Sequence, residues 1–422
     1  MEFQPLLLKS IEKLQYQTTP GELSIQTGLP LAIVEKDLQQ LAIAVGGHLQ
    51  VSNAGEVIYK YPPDFQNILR QKFVWLQVQE WLQRIWKVIF YLVRVSFGIV
   101  LIASVALILL SIFALSFFNN DGDGIDLGEI NLGGGDSGGG SFIWWWFDWG
   151  HDGAPRPQRK RGKKLNFLNA VYSFLFGDGN PNANLEELRW RNIGQVIRKN
   201  RGAITAEQVA PYLENVLPYN EDHILPVLLR FNGLPEVSPV GDLVYRFPDS
   251  QTVAQQRKFK HIQPYLKEKI WKFSAASTGQ IWTISLLAAV NCGGALFLGS
   301  LLKGLAVQGG IIAVAASLYG LILLYAIGFI SIPIGRWIWL QWANGKIRTR
   351  NQQRSQHTAR LNAGSEDLTR KLQFAESFQA EQIITAADLA YTTEDDLLDQ
   401  ELDQFLDEKV DPVPPLPGDR SK

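Results

Sequence analysis

Long uncharged runs and one internal duplication predict the fold class. It is mainly α with small β wings: two related small domains plus about three transmembrane helices. Apolar residues make up 46% of the 422-residue chain, an ordinary share, but they are concentrated in a few stretches. Net charge is −1, so no global field favours nucleic acid. The single cysteine, Cys292, excludes an internal disulfide framework. It also excludes an iron–sulfur or zinc site built on several cysteines.

Residues 95–118 form a 24-residue run without a formal charge, VSFGIVLIASVALILLSIFALSFF. At about 1.5 Å per residue such a helix crosses a hydrocarbon core of roughly 30 Å. Residues 281–302 and 304–335 are two more uncharged runs, with Lys303, Gly304 and Gly309-Gly310 marking the turn between them. Buried core helices are the alternative, but uncharged runs this long are rare in soluble domains. Gly294, Ala295 and Gly299 suit close helix packing, and Asn291 is expected to bond a neighbouring span.

Residues 19–62 align without a gap on residues 205–248, at an offset of 186. Thr19-Pro20-Gly21-Glu22 and Thr205-Ala206-Glu207-Gln208 both have the form of a capping box. Gly55-Glu-Val-Ile-Tyr59-Lys-Tyr-Pro62 matches Gly241-Asp-Leu-Val-Tyr245-Arg-Phe-Pro248 position by position. Arg84-Ile85-Trp86-Lys87 resembles Lys269-Ile270-Trp271-Lys272, and an uncharged run follows each. The repeating unit is therefore a small domain, a linking helix and a membrane helix.

Within the first copy, residues 6–14 are expected to be helical. Thr19 caps a second helix that Gly28 ends, and residues 31–45 carry an apolar stripe at Leu31, Val34, Leu38, Leu41 and Val45. Residues 48–51 and 57–61 alternate around a turn at Asn53-Ala54-Gly55. This pattern resembles a winged helix-turn-helix. In the second copy Pro211, Pro218 and Pro226 interrupt the helices, so its third helix is expected near Asn220, kinked or shortened at Pro226. The charges oppose DNA binding. Residues 1–70 hold five Lys/Arg against seven acids, and the third helices carry Glu35, Lys36 and Asp37, or Glu221, Asp222 and His223. A protein-interaction module is the better expectation.

Residues 119–141 are rich in Gly and Asp; Asp121, Asp123 and Asp126 hint at a calcium loop, but the EF-hand order fails, so a linker is expected. A strip with Trp144, Trp145 and Trp146 is read as an interfacial contact or docking strip. Arg159, Lys160, Arg161, Lys163 and Lys164 form a basic cluster suited to anionic lipid headgroups. Sidedness is contested. Three spans put the two copies on opposite faces, whereas basic flanks and shared ancestry put both on the cytosolic side, which we favour. The first run would then be re-entrant, or the Trp strip would complete a return pass. Residues 365–380 are expected to hold a helix, and an acidic amphipathic helix from near Thr393 would offer Leu398, Leu402 and Phe405 to a partner or to its own domain. Asp411 to Pro417 reads as an extended Pro-rich end.

No phosphate loop, zinc-protease motif or nucleophile elbow occurs, and the five histidines are scattered singly. Gly177-Asp178-Gly179-Asn180-Pro181 reads as a turn rather than a phosphate loop. Residues 165–187, LNFLNAVYSFLFGDGNPNANLEE, and residues 388–399, DLAYTTEDDLLD, resemble a family of uncharacterised membrane proteins shared by cyanobacteria and plant chloroplasts. The resemblance covers most of the chain. It implies a thylakoid or plasma membrane address and carries no activity or site residues. The division is 1–64 and 165–250 for the winged-helix-like domains, 65–94 and 251–280 for linking helices, and 95–118, 281–302 and 304–335 for the spans. A linker fills 119–164 and a helical acidic tail 336–422. The expected role is a non-catalytic membrane scaffold or assembly factor. It would need no cofactor, metal or identified small-molecule substrate, and its partners would be lipids and a membrane protein complex. A membrane-tethered DNA-binding regulator and a small transporter or channel subunit are the alternatives.

Overall fold

The computed structural model describes residues 3–72, 74–118, 165–214, 216, 221–255, 262–303, 310–385 and 388–394. The chain divides into two compact units. The first gathers residues 1–82, 182–270 and 345–422, and the second residues 83–181 and 271–344.

In the first unit, α1 (Pro5–Lys13), α2 (Pro20–Thr27) and α3 (Leu31–Val45) precede a hairpin of β2 (His48–Ser52) and β3 (Val57–Lys60), which β1 (Gln17–Thr18) extends. Thr19 Oγ1 accepts the Glu22 N–H at 3.1 Å, and Gly28 ends α2 at φ +75°, a conformation cheap only for glycine. The expected stripe of α3 is buried together with Leu7, Ile11, Leu23 and Phe65, the last from α4 (Phe65–Lys72).

The second copy repeats this plan from helix Leu185–Lys199, through β4 (Ala203–Ile204), to the hairpin of β5 (Leu234–Val237) and β6 (Leu243–Arg246). The two hairpins share one register. Thr18 faces Tyr59 as Ile204 faces Tyr245, and Gln50 faces Ile58 as Glu236 faces Val244. Asn232, at φ +53°, ends the third helix where Gly46 does in the first copy. That helix is short, as its prolines imply: one 3-10 turn over Asp222–Ile224, then Leu225–Phe231.

The two copies bury one another. Ile25 of α2 belongs to the second copy's core, and a Cβ on Gly194 would lie 2.5 Å from the Ile25 carbonyl oxygen. Glu22 and Arg198 face each other at 3.8 Å, both shielded from solvent. Both copies therefore lie in one body. The tail joins them. Helix Glu366–Glu376 packs on the second copy, β8 (Gln382–Ile383) pairs in parallel with β7 (Thr252–Val253), and β9 (Leu389–Thr392) adds to β2.

The linking helix expected over 251–280 is not present among the described residues. Residues 262–276 form an irregular strap instead. Its backbone amides are taken by side chains of the long helix Ile311–Ala363: Asn351 Oδ1 accepts from Glu268 N and Asn344 Oδ1 from Trp271 N, each at 2.9 Å. Pro264 also lacks an amide donor.

Three helices are long and apolar enough to cross a membrane, within Val74–Phe118, Thr278–Leu302 and Ile311–Ala363, and the second unit holds their residues 83–118, 278–302 and 311–344. The uncharged part of the last ends before Arg336. The short apolar helix Phe167–Phe176, assigned by sequence to the second small domain, instead packs among the long apolar helices at Leu101, Val105, Ile284 and Phe329. Leu101 and Ile284 share one cluster, whereas Leu115 and Leu298 share another. The first two of these helices thus run parallel. Asn291 Nδ2 donates to Ser104 Oγ of the neighbouring apolar helix, as expected.

Candidate functional site

Trp144, Trp145 and Trp146, the basic residues Arg159, Lys160, Arg161, Lys163 and Lys164, and the tail residues Leu398, Leu402 and Phe405 lie outside the described residues. So does the aspartate-rich stretch at 121–126. What the structure does assemble is a pair of repeated faces and the tail anchored across them.

The third helix of each copy leaves one aliphatic side chain in the open at the same repeat position. Ile43 is 83% exposed and Leu229 78% exposed. Leu225, one turn before Leu229, is also exposed, as are Val237 and Val240 of the second hairpin.

The hairpin edges differ. β9 lies along β2, where Leu49 turns both its backbone groups outward. The Leu49 N–H donates to Thr393 Oγ1 and the Leu49 carbonyl accepts from Thr393 N, each at 2.9 Å. Lys60 Nζ adds a surface contact to Glu394 at 2.7 Å. Position 49 corresponds to Pro235 in the second copy, and proline has no N–H to offer a fourth strand. The second edge is thereby blunted.

The tail helix is fixed by charge. Lys371 Nζ bonds Glu207 at 2.8 Å and Glu221 at 2.6 Å, and the Tyr245 hydroxyl donates to Glu221 at 2.6 Å. Burial pushes the Glu207 carboxyl up, but the bond and charge of Lys371 outweigh it and hold it below the ordinary range. A second network is buried more deeply: the Glu268 carboxylate takes both Arg350 (2.7 and 2.5 Å) and Arg354 (2.7 Å). Sequence reasoning missed both networks, because their members lie far apart along the chain and carry no local motif.

In the second unit, a polar clamp closes one end of the apolar helices. The Asp178 carboxylate accepts from the Ser173 hydroxyl and the Ala275 amide, each at 2.8 Å, and Arg94 lies 3.5 Å away. Arg336 donates to the last carbonyls of helix Phe167–Phe176, with Phe174 O at 2.9 Å, and to Phe273 O. A cation at a helix C-terminus satisfies the orphan carbonyls and the dipole together. Gly177 and Gly179, at φ +80° and +88°, make the loop the turn that the sequence predicts. Ser173 Oγ also lies 2.7 Å from Ser274 Oγ, which ties this helix to the strap. Among the described residues, no three His, Cys, Asp or Glu side chains are placed to hold a metal.

No protein-family model matches the chain, and no solved structure does. A plant protein does match: "Uncharacterized protein At5g03900, chloroplastic" of Arabidopsis thaliana is 32% identical over 413 residues. The match covers 93% of this chain and 79% of the plant protein. The chain therefore belongs to one family with this chloroplastic protein.

Proposed function

We propose that the protein is a multi-pass integral membrane scaffold or assembly factor without catalytic activity of its own. In this reading the two repeated modules are winged-helix domains that dock proteins rather than DNA. The observation that carries it is the pair of exposed aliphatic residues, Ile43 and Leu229, at one repeat position on the third helices. Large apolar side chains left open at such a face fit a protein partner better than a phosphate backbone. The three apolar helices supply the anchor. The chloroplastic relative fits a thylakoid membrane, or the thylakoid or plasma membrane of a cyanobacterium. Lipids and a membrane protein complex are the partners in this reading. The outlying Trp strip, basic cluster and acidic tail serve as further contacts.

The test is native electrophoresis of a tagged chain extracted in mild detergent at its natural expression level. The expected result is a complex larger than the chain, from which Leu229→Glu or Ile43→Glu releases it without lowering the melting temperature. Migration of the wild type as a lone monomer would refute the reading.

A further inference from the structure

We propose, on the membrane reading above, that one end of the apolar helices in the second unit binds the headgroups of anionic lipids, so that the protein seats by that end in a negatively charged leaflet. The unit is asymmetric in charge. Its described residues carry Arg84, Lys87, Arg94, Lys272, Lys303 and Arg336 against Asp178 alone. Only Lys303 stands at the end where Leu115 and Leu302 pack. Arg94, Asp178, Ala275 and Arg336 form the clamp at the opposite end, and Arg84, Lys87 and Lys272 lie beside it or beyond it.

Tryptophan follows the same asymmetry. Among the described residues of this unit Trp86, Trp271, Trp282, Trp337, Trp339 and Trp342 all lie at the clamp end, and the other end has none. Trp337 follows Arg336 directly, Trp271 packs edge-on to Trp339 with ring centroids 5.3 Å apart, and Trp282 stands one turn into its helix. Trp86, Trp282, Trp337 and Trp342 are exposed. Indole rings favour the headgroup layer, where the ring meets acyl chains and the N–H meets water. An open collar of such rings interleaved with cations complements an anionic lipid surface in both shape of polarity and sign of charge.

Depth sorts the cations. Arg94 is spent on Asp178 at 3.5 Å and on the Tyr172 ring at 5.0 Å, and Arg336 is spent on helix-end carbonyls. Residues 88–93, between Lys87 and Arg94, are apolar and all exposed, a surface suited to acyl chains. Arg94 therefore lies at a depth where a charge must be paired within the protein, and it is. Lys87 stands about 10 Å further out along the same helix. Lys272 neighbours Phe273, whose carbonyl Arg336 takes. Both lysines are exposed and make no hydrogen bond or ion pair among the described residues. Their ammonium groups are the donors left over for a headgroup phosphate or sulfonate, while their methylene stems lie along apolar surface.

The full-length tagged chain in mild detergent, equilibrated with labelled phosphatidylglycerol or phosphatidylcholine and captured on resin, tests this by the lipid it retains. Phosphatidylglycerol is expected to be preferred about tenfold at about 50 mM salt, and less than about twofold at about 0.5 M, because salt screens the attraction. Lys87→Gln and Lys272→Gln should each lower the preference about threefold and together remove it, with the melting temperature unchanged, while Lys87→Arg keeps it. Lys303→Gln, at the other end of the helices, should change nothing. Absence of a preference in the wild type overturns the proposal, as does a preference that the double variant leaves intact. Alkaline extraction of the chain from phosphatidylcholine vesicles tests the membrane anchoring separately. A chain that stays embedded yet shows no preference for phosphatidylglycerol sinks the lipid proposal alone, whereas a chain washed off by alkali sinks both.

Discussion

Glu268 is 4% exposed and Arg354 3% exposed, so this pair is largely removed from solvent screening. Burial pushes the Glu268 carboxyl up, but Arg350 and Arg354 outweigh it and hold it below its ordinary value of 4.5. The folded state therefore gains stability from this carboxylate above about pH 4.5, and loses it as pH falls through the depressed value. Glu268→Gln removes the carboxylate shared by both arginines while Arg354 keeps Glu214 at 3.2 Å and the Leu266 carbonyl at 3.0 Å, so the cost is expected to stay below the about 3–5 kcal/mol of a fully stranded buried charge. Melting curves should show a large gap between wild type and Glu268→Gln at pH 7 that narrows steadily below pH 4.5. A gap that is constant with pH would remove the ionic explanation. Between two of the apolar helices, Asn291 and Ser104 form the matching neutral contact. A double-mutant cycle with Asn291→Ala and Ser104→Ala should give a coupling of about 0.6–1.7 kcal/mol, the size of interhelical hydrogen bonds in bilayers. Coupling within error of zero would show that the contact contributes packing alone.

Elements were legible in the sequence where their signals are local. α2 is bounded by a capping threonine and a left-handed glycine, and α3 by its apolar period, so both stand where those residues put them. The strap over 262–276 was not legible, because Asn344 and Asn351 on a distant helix claim the amides that a linking helix would have used. β9 was equally hidden. It spans only Leu389–Thr392, and its partner strand lies more than 330 residues away in the chain. The contrast of Leu49 with Pro235 gives a direct test of that strand. Leu49→Pro should free residues 389–393, raising their amide exchange to that of an open segment while α3 stays protected. Unchanged protection of β9 would contradict the edge geometry. Gly194 tests the contact between the two copies. A side chain there must displace the Ile25 carbonyl, and overpacking of this kind costs about 1–3 kcal/mol. Gly194→Val should lower the melting temperature, whereas Gly279→Val, where a Cβ meets nothing, should shift it far less.

At the scale of the whole molecule, the duplication was legible because the two copies keep one register. Their mutual burial was not, since α2 reads as a short polar helix although Glu22 and Ser24 are buried within the unit. With the three apolar helices read as spans, membership of both copies in one compact unit predicts that they share a face. Single cysteines at Asn53 and Pro239, with Cys292 replaced by alanine, should therefore react with an impermeant maleimide from the same face of sealed vesicles. Reaction from opposite faces would dissolve the first unit as described. That unit also has an implication for biogenesis. Its pieces are separated in the gene by every apolar helix, and its last strand ends at Thr392. Translation therefore completes all three apolar helices before the strand that finishes the first hairpin's sheet has emerged. Ile25 gains its cover from residues 193–266 of the second copy, before the second apolar helix is made, whereas Gln50 and Val51 lack their outer partners until β9 follows.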